Sequence, residues 1–390
     1  MRNNFVWALT FCMLAAPPFA AAEMQFNGFA SVVTGIDLKD EGASNYGNRT
    51  VDNLQESRVA LQWTADIEKG LRFVGQTVAR GNATTGFALN YDWAYFDFNV
   101  GDSAKLKFGR LRIPFYKYSD YLDVGYAYHW ITPPKSMYSL AFSNMDGIGY
   151  QHNLEAGGME HALNFTVGTY QGVLRILAGL PIDSRLENLM AVNWSTTMDN
   201  HEIYAAYAQA DVYMDASDLV GLSALAASPR DVVVDGDYGF FVGIGYKGMF
   251  GDINVFFEYS IVEVQDTIVS DTSGGYLGTS YTMGDYTYHV TYGIRKEDEK
   301  TYSGGNSDTD IGLALGATAS GSTLNSTARS LGNGDSSTIT LGVRKDIGAS
   351  TALKIDLDLY TEDKVQDDQV ASASAERKAT TLKFAIESMF

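Results

Sequence analysis

The sequence predicts an all-β fold: a transmembrane up-and-down antiparallel barrel, with 16 strands as the favoured count. Three observations lead there. Stretches of the chain alternate apolar and polar residues with a period of two, as strands with unlike faces do. The connections between these stretches alternate between tight Gly- and Asp-rich turns and long polar segments, the asymmetry of an outer-membrane barrel. The chain is also rich in Tyr (24) and Phe (20), and these crowd near strand ends, where a ring can have one wet and one dry edge.

The first 22 residues stand apart from this pattern. Arg2 gives a short basic start, "FVWALTFCMLAA" is an apolar run too short to span a bilayer, and "AAA" at positions 20–22 offers small residues for cleavage. Residues 1–22 therefore read as a secretory signal peptide cut before Glu23, and residues 23–390 as a single barrel domain. Cys12, the only cysteine, lies inside the leader, so the mature chain is expected to hold no disulfide and no cysteine metal site. The formal charge of −19 argues against a nucleic-acid partner, since phosphate binding needs clustered bases. No later segment approaches 18 consecutive apolar residues, so helical membrane spans are not expected.

In chain order the strands are expected near 24–38, 54–67, 71–81, 87–100, 104–111, 147–155, 160–171, 187–198, 202–213, 238–248, 253–265, 276–283, 286–297, 337–346, 351–361 and 380–390. The segment 266–297 leaves 14 or 18 strands open. In "SRVALQWTADI", Val59, Leu61, Trp63, Ala65 and Ile67 share one face, and "INVFFEYSI" and "ALKIDLDLYTED" repeat the pattern. A soluble sandwich also alternates, so the turns decide. "IEKGL", "VGDSA", "EAGGM", "TMDNH", "GMFGD", "MGD" and "DIGAS" are short; 39–53, 111–146, 171–187, 214–237, 266–275, 298–336 and 362–378 are long. Lipid tolerates no open sheet edge, so the last strand, "TLKFAIESMF", is expected to close on the first, "MQFNGFASVV". Leu382, Phe384, Ile386 and Phe390 then face lipid, and Lys383 and Glu387 face the lumen.

The alternating stretch ending on Phe390 resembles the targeting signal that the bacterial barrel-assembly machinery reads, with Ser388 as a departure. "SAKLKFGRLRIPFYKYSDYL" resembles the fifth strand and third loop of Gram-negative general porins, "DGIGYQHN" the strand that follows, and "FNGFASVVTG" the first strand. The resemblance implies a third loop folded into the lumen, a homotrimer in the outer membrane among its lipids and lipopolysaccharide, and passive diffusion of small hydrophilic solutes and ions without a cofactor.

Such a channel has no catalytic residues; its chemistry is the width and charge of its narrowest point. Segment 54–117 carries nine bases against six acids in an otherwise acidic chain. Alternation turns Arg58, Arg72, Arg80, Lys105 and Lys107 away from lipid; Arg112 and Lys117 lead into the third loop, which carries Asp120 and Asp123. The resemblance implies a transverse field between this basic wall and the acidic loop; the bland reading is solvated lumen charges. Arg110 shares the face of Leu106 and Phe108, toward lipid, and joins the group only if a bend at Gly109 redirects it. The aromatics Phe115, Tyr116, Tyr118, Tyr121, Tyr126, Tyr128 and Trp130 are expected to pack the loop, with a sugar-stacking track as the alternative.

Other signals are refused. "GIGYKG" at 243–248 matches a dinucleotide fingerprint, but alternating residues follow it where a helix is required. Asn306, Asp308 and Asp310 are spaced like a calcium loop, yet Gly312 falls one place late and no Glu completes it. The five histidines lack HExxH spacing and no GxSxG elbow occurs, so no enzyme is expected. Beside passive diffusion stand two alternatives: a channel selective for sugars or small organic anions, and an adhesion barrel acting through the 214–237 and 298–336 loops.

Overall fold

The computed structural model describes residues 23–41, 46, 49–81, 86–140, 142–174, 182–215, 234–265, 270–298, 335–363 and 376–390. The leader and the calcium-like 306–312 stretch lie outside these. Sixteen strands form: β1 (Glu23–Asp40), β2 (Arg58–Glu68), β3 (Leu71–Arg80), β4 (Leu89–Val100), β5 (Ala104–Arg112), β6 (Asn144–Ala156), β7 (Met159–Leu174), β8 (Ile182–Met198), β9 (His201–Asp215), β10 (Asp235–Phe250), β11 (Ile253–Val264), β12 (Asp271–Met283), β13 (Tyr286–Asp298), β14 (Ser336–Ile347), β15 (Thr351–Asp363) and β16 (Glu376–Met389). Each pairs antiparallel with its sequence neighbours, and β16 pairs with β1 to close the barrel. Closure leaves no edge, so every strand's backbone groups find partners within the sheet.

The exposure pattern is inverted relative to a water-soluble protein. Phe26, Val32, Phe108 and Leu277 are each about 60% exposed, whereas Lys354, Asp356, Glu258 and Glu387 are essentially inaccessible. Apolar side chains outside and charge inside is the arrangement a lipid environment selects. Both chain ends of the barrel lie with the seven connections of two or three residues. These turns need left-handed backbone: Gly284, at φ 61°, supplies it between β12 and β13, and Asp199, at φ 51°, does so between β8 and β9, where a short polar side chain tolerates it. "GIGYKG" lies inside β10 and runs through a tight turn into β11, as a hairpin should.

Several boundaries differ from expectation. β2 begins at Arg58 and not at 54, because the Asp52 carboxylate accepts bonds from the N–H groups of Leu54 (2.6 Å) and Gln55 (3.3 Å), and Glu56 sits at φ 63°. This side-chain turn competes with the ladder. β8 and β12 each start five residues earlier than alternation marked, at Ile182 and Asp271, so part of the 266–275 stretch expected as a long connection is strand, and β16 starts four earlier, at Glu376.

The closing seam depends on Gly28. Its N–H and carbonyl exchange bonds with Phe390 (2.7 and 2.9 Å), and a Cβ there would lie 2.4 Å from the Phe390 ring and 2.9 Å from the Ala60 carbonyl. Gly28→Val is therefore expected to slow barrel closure and to destabilise the folded barrel by about 1–3 kcal/mol. The loss of heat-resistant compact mobility on detergent gels measures it; unchanged mobility and assembly rate would show that the seam has slack.

Residues 113–143, between β5 and β6, do not stay with their flanking strands. Tyr204 on β9 donates to the Pro114 carbonyl (2.7 Å), Tyr138 donates to Glu258 on β11, and Ser136 donates to the Gly275 carbonyl on β12 (3.2 Å). Trp130 Nε1 donates to Thr291 Oγ1 on β13 (2.9 Å), and the Ile131 N–H donates to Asp356 on β15 (2.9 Å). Strands so far round the circumference share only the barrel's interior, so this segment crosses the lumen.

Candidate functional site

The near attachment of that crossing segment is a cluster of charges. Arg58 on β2 donates through Nε to the Asp123 carbonyl (2.7 Å) and through its terminal nitrogen to the Ile131 carbonyl (3.2 Å). Arg80 on β3 grips the Asp123 carboxylate with two bonds (2.8 and 2.6 Å) and also meets Asp92 (2.5 Å). Arg112, at the end of β5, reaches the same two carboxylates (3.0 Å to Asp123, 2.8 Å to Asp92) and lies over the Trp93 ring. Asp92 is inward only because β4 bulges there: Gln76 faces Trp93 and Thr77 faces Tyr91, leaving Asp92 as the extra residue. Burial alone would raise the Asp123 carboxyl, but Arg80, Arg112 and Arg58 outweigh it and hold the group far below the usual carboxylate range.

The far attachment uses different chemistry. Lys354 on β15 is buried, pairs with Glu387, and donates to the carbonyls of Gly125 (2.7 Å) and Trp130 (2.5 Å). Arg344 on β14 donates to the carbonyls of Tyr126 and Tyr128, each at 2.6 Å. Glu258 accepts from the hydroxyls of Tyr138 and Tyr276 and from the Lys117 N–H (3.0 Å), while the Lys117 ammonium pairs with Glu202 on β9. His129 is wedged against Trp130, Phe256 and His289; burial, reinforced by nearby His289 and Lys354, pushes its pKa well down, so it is neutral at physiological pH. Phe115, Tyr116, Tyr118, Tyr128 and Trp130 are buried in one aromatic core with wall residues Phe241, Phe256 and Tyr276. Tyr121 and Tyr126 remain more accessible.

The structure divides the residues marked in the sequence. Arg58, Arg80, Arg112 and Asp123 come together. Arg72 and Lys105 lie toward the short-turn end, paired across neighbouring strands with Asp66 (2.7 Å) and Asp97 (3.4 Å). Lys107 lies over the Tyr95 ring (5.5 Å to its centre). Asp120 is exposed on a 3-10 turn spanning Ser119–Tyr121. Arg110 corrects the grouping: it stays on the outer face and makes a two-bond pair with Asp146 on β6 (2.8 and 2.9 Å). Gly109 does not redirect it, because that glycine serves the close approach of β4, where a Cβ would meet the Ala94 carbonyl at 2.3 Å. On the closing strand Phe384, Ile386 and Phe390 are exposed, Leu382 is half-buried, and Lys383 and Glu387 are buried inward.

Sequence reasoning left Asp92, Glu258, His129 and Arg344 unassigned to the site, although the alternation of "ALKIDLDLYTED" turns Lys354 and Asp356 away from the apolar face. Nothing local marks Asp92, since a bulge reverses its face. Open space remains along β3 to β8 and reaches β2 at the short-turn end. A cavity of about 760 Å³ at the short-turn end is lined by residues including Asp66, Arg72, Asp97 and Gln151. A second of about 230 Å³, lined by Trp93, Tyr95, Lys107, Arg112 and Asp120, shares Gln151 with it.

A closed barrel with an apolar exterior and a polar, partly open interior is a membrane channel. Residues 8–384 match a family model described as Gram-negative porin, and the chain belongs to that family. It is an outer-membrane channel for passive diffusion. Solved structures with the same fold include the outer membrane channel DcaP of Acinetobacter baumannii (11% identity, 95% of this chain and 98% of that one, TM-score 0.58). They include the anion-selective porin of Comamonas acidovorans (14%, 95% and 100%, TM-score 0.57) and Salmonella typhi OmpF in complex with daunomycin (12%, 95% and 98%, TM-score 0.56). No curated protein matches the sequence.

Proposed function

We propose that the chain is a general-diffusion porin, a homotrimer that passes small hydrophilic solutes and ions and acts as a channel, not as an enzyme. Residues 1–22 direct its export, and the closing strand, through Leu382, Phe384, Ile386 and Phe390, presents it to the barrel-assembly machinery. In the membrane it meets lipid and lipopolysaccharide. Its selectivity filter is the narrowing made by residues 113–143, with Arg58, Arg80, Arg112 and Asp123 fixing that segment to the wall. The observation that carries this reading is the fastening of one segment to both sides of the lumen while space stays open along β3 to β8. The sugar-track reading has less support, because five of the seven loop aromatics are buried in packing.

Purified protein in planar bilayers is expected to give stepwise conductance that grows with salt, and proteoliposomes are expected to swell in small sugars but not in large ones. Bilayers that stay silent would refute the channel; swelling limited to one sugar would favour the selective alternative.

A further inference from the structure

Resting on the porin reading, the charges along the open path point to a specificity that the basic wall in the sequence does not suggest. The three arginines of the near attachment are engaged with carboxylates and loop carbonyls: Arg112 is 6% and Arg58 8% exposed in their side chains, and Arg80 holds two carboxylates. A cation bound to a carboxylate presents little net charge to a passing solute. Among the cations lining the two cavities, which share Gln151, Arg72, Lys105 and Arg112 are paired, while Lys107 has no carboxylate within 4 Å among the described residues. Carboxylates are treated differently. Glu68, Asp102, Glu155 and Glu160 line the wider cavity, and Asp120 lines the narrower one, without an ion pair among the described residues.

We infer that this channel prefers small cations over anions, and that Lys107 and Asp120, facing the same narrow cavity, are the pair that sets the degree of preference. Lys107 sits on a rigid strand with Tyr95 beneath it, and Asp120 stands on the crossing segment. A permeating ion in this cavity meets one unpaired charge of each sign, and beyond it a vestibule lined by four unpaired carboxylates and the imidazole of His161, which stacks on Trp194. The arginines act as positioning residues for the loop, not as the filter's field.

The test is the reversal potential across a potassium chloride gradient at moderate ionic strength, for the full mature barrel and two variants. A unit charge about 6 Å from the ion in water changes local occupancy about threefold. The wild-type potassium-to-chloride permeability ratio is expected above one. Lys107→Gln should raise it about threefold, Asp120→Asn should lower it about threefold, and the double variant should return near the wild-type ratio. An anion-preferring wild type, or ratios unmoved by both substitutions, would overturn the inference while leaving a working channel. Absence of any conductance would instead strike the porin reading, so the two failures are distinguishable.

Discussion

Asp123→Asn is expected to widen the channel and weaken the barrel together. The carboxylate is about nine-tenths buried and receives Arg80 and Arg112 directly, with Arg58 bonded to the same residue's carbonyl. Removing its charge leaves Asp92 as the one carboxylate shared by Arg80 and Arg112. Breaking a buried pair by removing one partner costs about 3–5 kcal/mol, and the low end applies because Arg80 is a third exposed. The expected result is larger, noisier single-channel steps and a lower unfolding temperature in detergent. Unchanged conductance would mean that the far attachment alone fixes the segment.

The same clamp should resist acid. Asp123 is held well below its ordinary value of 3.8 on folding, so its stabilisation is present above that value and is lost only as pH falls through the depressed one. The conductance of the wild type is expected to hold at about pH 4, where ordinary carboxylates are half-protonated. A switch to the wide, noisy state at that pH would show that the arginines do not dominate the site.

The second large effect is expected at Lys354→Met. Lys354 is 1% exposed; its ammonium pairs with Glu387 on β16 and donates to two loop carbonyls. The substitution strands Glu387, whose remaining cation, Arg58, is 3.8 Å away, and leaves two carbonyls without their donor. A loss of about 3–5 kcal/mol follows from an uncompensated buried charge. Lys354→Met combined with Glu387→Met is expected to recover a substantial part of the melting temperature, since a buried ion pair replaced by apolar groups of similar volume is often neutral. If the double variant is no more stable than the single one, the bonds to Gly125 and Trp130, and not the stranded charge, carry the effect.

The strands were legible because a barrel wall in lipid obeys a local rule. Val59, Leu61 and Ile67 are exposed and apolar, and Lys383 and Glu387 are buried inside, as a period of two requires. The rule failed where backbone geometry broke the period. Asp92 turns inward through a bulge that its own residue type does not announce. Arg110 was tied to the pore through a supposed bend at Gly109, but that glycine answers a steric demand from β4 and leaves the face unchanged. Which basic residues are free was equally hidden, because pairing depends on where a loop carboxylate lands: Asp123 enters the arginine cluster, while Asp120, three positions earlier, stays exposed.

The sequence alone determined the kind of wall: alternating strands, short turns at one end, long connections at the other, and a last strand able to seal against the first, with the count of 16 favoured over 14 or 18 and decided by the fold. Those features follow from side-chain order and backbone hydrogen bonding in a solvent without water. Only the tertiary structure decided the state of the interior. Residues 113–143 meet β9, β11, β13 and β15 through contacts up to 229 positions apart in the chain, and such contacts turn a row of basic side chains into an anchored, largely neutralised clamp. Charge pairing at that range is set by the fold's geometry, which no local pattern encodes.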